Sequence, residues 1–219
     1  EYVCYFRDFR DGVRDIRRAT ARDFLNWSKP EWLSYTGTPH EQLYTNTIQP
    51  YPRAPHIYLG FPKRFFPDRK FVLKHPHMGV SDGAFMSSRD GVDFHLWSEA
   101  FLRPGPDIEN WTDRSTMAAW GMLELKPGEL SLYYSRHYRH PTANISRATI
   151  RTDGFVSIHA GGEKGYLITK PLIFDGSALT LNYATSAGGG VRVEIQQENG
   201  TPIKGFTLED CPIIYGDEI

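Results

Sequence analysis

Three carboxylates stand where a strand-rich chain can place chemistry. Glu41 lies in Pro39-His40-Glu41-Gln42-Leu43-Tyr44-Thr45-Asn46, just before an expected inner strand. Asp82 follows Val80-Ser81 and opens a strand, where a carboxylate either faces a pocket or caps a turn. Asp113 precedes the apolar stretch Met117–Leu125. Two carboxyl groups flanking one bond can work as an acid/base pair when their surroundings separate their proton affinities. Glu41, Asp82 and Asp113 are therefore the expected catalytic set. Each has a plainer reading as a loop or cap residue.

A second group of residues has the chemistry of binding. Arg53 and His56 flank Ala54-Pro55, whose rigid geometry fixes their directions. Arginine suits a carboxylate or sulfate, or an ion pair within the sheet. Trp111 and Arg114 surround Asp113, and Trp120 follows within the apolar stretch. Either tryptophan can stack on a sugar ring or fill a core. His137 and Tyr138 complete the expected binding set. With His140 they give a His-x-x-His spacing, but no carboxylate stands near in the chain, so loop histidines are expected there rather than a metal site. No metal and no cofactor is expected.

The elements that must position these residues are strands. No long segment carries an apolar stripe at helical spacing. Asp11-Gly12 signals a hairpin between Tyr2–Arg7 and Val13–Ala21. Further strands are predicted at Trp32–Tyr35, His56–Phe61, Gly83–Ser88, Phe94–Trp97, Thr116–Leu125 and Leu130–Tyr134. Pro62–Gly79 reads as one long basic loop. Arg14-Asp15-Ile16-Arg17-Arg18 reads as a solvated strand face.

One motif returns three times: Arg14–Phe24, Asp82–Gly91 and Ile145–Phe155. Its closing Asp falls at Asp23, Asp90 and Asp153, steps of 67 (90 − 23) and 63 (153 − 90) residues. Short strands repeating at that interval suggest blades of a β-propeller. An Asp needed in every copy is structural, so these three are left out of the site. After Asp153 six short strands are predicted: Phe155–His159, Tyr166–Thr169, Leu172–Phe174, Ala178–Tyr183, Val191–Gln196 and Pro202–Phe206. Gly-rich joints between them suggest a jelly-roll-like β-sandwich. The expected domains are 1–152, propeller blades, and 153–219, an incomplete sandwich. Three copies do not close a ring, so missing blades or a partner chain are expected to complete it.

Composition narrows the classes. The formal net charge is −1 across 219 residues. No basic excess points to nucleic acid, and no apolar run is long enough to cross a membrane. Cys4 and Cys211 make neither a disulfide framework nor a zinc spacing. Aromatic residues make up 14 %, which fits sheet and sugar-stacking surface alike.

Tyr51–Pro62, Asp82–Trp97 and Thr152-Asp153-Gly154-Phe155-Val156-Ser157 resemble a family of bacterial glycoside-hydrolase-like proteins. Their propeller is similar to the five-bladed folds of glycoside hydrolase families 32 and 43, followed by a β-sandwich. The resemblance implies an all-β protein: a partial five-bladed propeller followed by a jelly-roll-like sandwich. It implies a secreted or periplasmic carbohydrate-active protein with a carbohydrate substrate or ligand. Glycoside hydrolysis by carboxylates is the leading expectation, and non-catalytic glycan binding on the same scaffold the alternative. Relatives of this kind carry a Glu where Arg136 stands in Tyr134-Ser135-Arg136-His137-Tyr138.

Overall fold

Asp11 and Gly12 both take positive φ, 53° and 80°, the backbone of a two-residue hairpin turn. Around them β1 (Tyr2–Arg10) and β2 (Val13–Ala21) pair antiparallel, from Tyr2↔Ala21 to Arg10↔Val13. β3 (Glu31–Trp32) adds to the other edge of β2. The computed structural model describes residues 1–218. Among them the protein is all-β, with one 3-10 turn at Ile108–Asn110, no α-helix and no closed barrel.

The strands fall into several small sheets. β4 (Ser34–Thr36), β6 (Gln49–Tyr51), β7 (Ala54–Gly60), β10 (Met86–Ser88) and β11 (Asp93–Leu96) form a sheet of order β4-β11-β10-β7-β6. β5 (Gln42–Leu43), β8 (Lys63–Phe66) and β9 (Val80–Gly83) form a second, order β5-β8-β9. β12 (Leu123–Lys126), β13 (Glu129–Arg136) and β14 (Asn144–Arg151) follow in chain order. β15 (Tyr183–Ala184) pairs with β16 (Asp217–Glu218).

The chain divides into two compact units. One comprises Glu1–Leu123 and Ser131–Thr149, the other Glu124–Leu130 and the chain from Ile150 on. The first has a contiguous core of Ile16, Leu43, Met86 and Phe94, from strands of three sheets, with Leu33 and Ile48 from the segments beside them. Tyr5, Tyr35 and Tyr58 pack against it. Apolar burial on this scale is the main stabilising term.

The three copies of the motif share a strand end; the turn that follows is alike at Asp23 and Asp90, with positive φ at the next residue, Phe24 or Gly91, whereas in the third copy Asp153 itself takes positive φ. β2, β10 and β14 end at Ala21, Ser88 and Arg151, each two residues before the closing Asp. Asp23 accepts the amides of Leu25 and Asn26 at 3.0 and 2.8 Å, and Asp90 those of Val92 and Asp93 at 2.8 Å each. The same carboxylate turn thus closes strands of different sheets. Those amide bonds are the first cause holding the carboxyls of Asp23 and Asp90 below the usual range, Asp23 at about 2.

Several expectations are corrected. Pro62–Gly79 is not one loop, because β8 forms at its start. Of Thr116–Leu125 only the end enters a strand, β12. Asp15 and Ile16 are fully buried, so Arg14–Arg18 is not a solvated face throughout. The six short strands do not form as predicted; of Ala178–Tyr183 only Tyr183 enters a strand, β15. Phe155–His159, Tyr166–Thr169 and Leu172–Phe174 lie in no strand, and isolated bridges join Val191 to Ile214 and Gln196 to Pro202. Tyr166, Ile168, Leu172, Ile173 and Phe174 are exposed. A strand with one uncovered apolar face and few partners holds its ladder poorly.

Candidate functional site

Opposed residues of an antiparallel pair point to the same side, and neighbours along a strand to opposite sides. The pairing of β8 with β5 and β9 is Leu43↔Arg64↔Asp82, with Gln42↔Phe65↔Ser81 and Lys63↔Gly83 one step away. β8 therefore sends Arg64 and Phe66 to one face, and Lys63 and Phe65 to the other. Glu41, one residue before β5, joins the Arg64 face.

Arg64 gathers two of the expected carboxylates. Its Nε and Nη2 donate to Asp82 Oδ1 and Oδ2 at 2.9 and 2.8 Å, a bidentate pair. Its Nη1 donates to Glu41 Oε2 at 3.0 Å and to the Ser98 carbonyl at 2.8 Å. Burial alone would weaken the hold of Arg64 on its proton; the Asp82 and Glu41 carboxylates outweigh that and raise it. One cation thus spans both acids.

Asp82 also lines an open cleft of about 350 Å³, with Phe66, Arg69, Val80, Arg103 and Trp111. Trp111 donates its indole N–H to the Gly105 carbonyl at 2.8 Å, and its ring lies 5.0 Å from that of exposed Phe71. Fixed aromatic faces beside a carboxylate suit the apolar face and hydroxyl edge of a sugar.

Asp113 is separated from the other two by the sheet. It is buried and ion-paired with Arg114 Nε at 3.3 Å and Arg139 Nε at 3.6 Å, and its charge acts on Lys63. The Tyr138 ring lies between the same two guanidiniums, 5.6 Å from Arg114 and 5.8 Å from Arg139. Asp113, Arg114 and Tyr138 thus assemble together, apart from the cleft.

The remaining expected binding residues scatter. Arg53, in the β6–β7 turn, and exposed His56, on β7, belong to the five-stranded sheet. Trp120 is exposed, 71 %, and donates its indole N–H to the Ile48 carbonyl at 3.2 Å, so it is neither core nor cleft wall. His137 has the carboxylates that the linear sequence hides. Its Nε2 sits 2.7 Å from Asp107 Oδ2 and its Nδ1 3.3 Å from Glu109 Oε2. Arg136 Nη2 also donates to Asp107 at 2.6 Å. The bond from His137 is the first cause of the lowered pKa of Asp107. Among the described residues no three His, Cys, Asp or Glu side chains stand close enough to hold a metal ion.

Sequence reasoning missed Lys63, Arg64 and Asp15. The first two fell inside an assumed loop, although Lys63-Arg64-Phe65-Phe66 between Pro62 and Pro67 is a bounded aromatic run of strand type. Asp15, fully buried, accepts the Tyr35 hydroxyl at 2.9 Å and lies 3.1 Å from His40 Nε2. Burial, then the Asp15 charge, pushes the Tyr35 pKa up, which keeps its hydroxyl a donor. No protein-family model, curated protein or solved structure matches the chain.

Proposed function

We propose that this is a carbohydrate-active protein that hydrolyses glycosidic bonds at the cleft beside Asp82. The observation carrying the reading is that Glu41 and Asp82, far apart in sequence, meet on one guanidinium, with Asp82 on the wall of an aromatic cleft. Carboxylate pairs in glycoside hydrolysis stand about 5–10 Å apart, a gap one guanidinium can bridge. In this reading Asp82, held bidentate, is the carboxylate that stabilises positive charge on the ring or attacks it. Glu41 accepts one bond from Arg64, and its Oε1 has no hydrogen-bond partner among the described residues. In this reading Glu41 is the second carboxylate of the pair.

The scaffold reading for the strands up to β14 is a partial five-bladed propeller. Its support is that β2, β10 and β14, in three separate sheets, each end two residues before the recurring Asp. One observation favours a second reading, glycan binding without catalysis: Arg64 compensates the charge of both carboxylates. Assaying wild type, Glu41→Gln and Asp82→Asn against plant, algal and bacterial polysaccharides tests the proposal. The hydrolase reading expects reducing ends from wild type and a loss of several orders of magnitude in both variants. Glycan binding without turnover in wild type supports the second reading.

A further inference from the structure

Lys63, on the opposite face from Arg64, is nearly fully buried, 1 % exposed; its backbone N–H donates to Thr45 Oγ1 at 3.0 Å, but its ammonium makes no hydrogen bond or ion pair among the described residues. Its Nζ lies 4.1 Å from the centroid of the Tyr44 ring and 5.1 Å from that of Phe65. Three further cations converge on the same Tyr44 ring: Arg7 at 4.3 Å, Arg14 at 5.5 Å and Arg114 at 5.8 Å. The carboxylate whose charge reaches Lys63 is Asp113, already shared between Arg114 and Arg139. Arg14 has a neutral partner, Gln42 Oε1, at 2.8 Å. Four cations around one aromatic ring, with a single shared carboxylate, are mutually repulsive. Aromatic faces offset only part of that cost.

We propose that Lys63, Arg7, Arg14 and Arg114 form a binding site for an oxyanion, a sulfate, phosphate or carboxylate group carried on the glycan. Each has donors for such a group, and together they supply more positive charge than Asp113 compensates. The guanidiniums match oxyanion edges in pairs, and the ammonium supplies a point charge at the floor. The Tyr44 hydroxyl adds an edge donor; its pKa is lowered, first by its bond with Arg7. Burial, with the charges of Arg114, Arg14 and Arg7, holds the Lys63 pKa down to about 7 despite Asp113. A bound oxyanion supplies the missing counter-charge. The inference rests on the proposed function only for the carrier of the group.

The test is calorimetric titration at low salt with four probes: inorganic sulfate, a sulfated oligosaccharide, an oligogalacturonate and a neutral oligosaccharide of equal length. At least one anionic probe is expected to bind, with the neutral one at least tenfold weaker. Lys63→Met and Arg7→Gln should each weaken anion binding about tenfold or more, the loss of one charge-assisted hydrogen bond. Arg7 is exposed, so its replacement leaves the fold intact and keeps the test decisive if Lys63→Met misfolds. Binding of sulfate but of no glycan supports the anion site and rejects the carbohydrate reading. No binding of any anion, or an affinity in both variants equal to that of wild type, overturns the proposal.

Discussion

Replacing Arg64 by Met removes the bridge between Glu41 and Asp82 while keeping most of the side-chain volume. Arg64 donates four hydrogen bonds, three to carboxylates at 2.8–3.0 Å and one to the Ser98 carbonyl at 2.8 Å. Its side chain is 6 % exposed, against 24 % for Glu41 and 15 % for Asp82. Removing one partner of a buried ion pair costs about 3–5 kcal/mol, because the other charge is left without compensation. Water reaches both carboxylates in part, so the lower figure applies, about 3 kcal/mol. That corresponds to a fall in Tm of about 6–12 °C for a chain of this size. Urea denaturation followed by tryptophan fluorescence measures it, together with a double-mutant cycle. Asp82→Asn removes the orphaned charge, so Arg64→Met combined with Asp82→Asn should cost about 1–2 kcal/mol less than the sum of the single changes. A cost below about 1 kcal/mol for Arg64→Met, or strict additivity in the cycle, refutes the bridging role.

Two further outcomes follow from the fold. The Lys63 pKa is about 7 in the folded chain against an ordinary value of 10.5, with burial the first cause, Arg114, Arg14 and Arg7 adding to it and Asp113 opposing. Between those values the unfolded chain binds the extra proton, so stability rises with pH across that window and the penalty is complete below it. Lys63→Met should therefore be more stable at pH 7 by a few kcal/mol, an advantage that vanishes towards pH 10.5; an unchanged pH profile in denaturation contradicts this. Gly91 has φ +76°, and a Cβ there would stand 2.5 Å from the Tyr5 hydroxyl, which donates to the Gly91 carbonyl at 2.8 Å. Gly91→Ala should cost about 1–3 kcal/mol in the same assay, whereas a neutral effect would show that the turn relaxes freely.

Local signals carried the first unit well. Asp11-Gly12 announced its hairpin, and the recurring Asp marked three strand ends, at Asp23 and Asp90 because a carboxylate that caps two amides is a purely local device. What stayed hidden depends on long-range pairing. Asp107 and Glu109 reach His137 only after the chain folds back by about thirty residues. Glu41 and Asp82 could be named as candidates, but the cation joining them sat in a segment read as a loop. Asp113 was grouped with them because position along a chain says nothing about which face of β8 a neighbour occupies. The later strands rest on short apolar runs with Gly-rich joints, and such runs form ladders only where something covers them. Lys63 was invisible for a related reason: a lysine beside an arginine reads as surface until the fold buries one of the two.

The central claim is that the Asp82 cleft performs glycoside hydrolysis. Reducing-end release from a polysaccharide panel by wild type and by Asp82→Asn tests it most directly. Asp82→Asn keeps shape and one acceptor but removes the charge facing the cleft. The account predicts release by wild type and a fall of at least about a thousandfold in the variant, with glycan affinity retained. Equal release by the two proteins, or none by wild type on any polysaccharide, contradicts it.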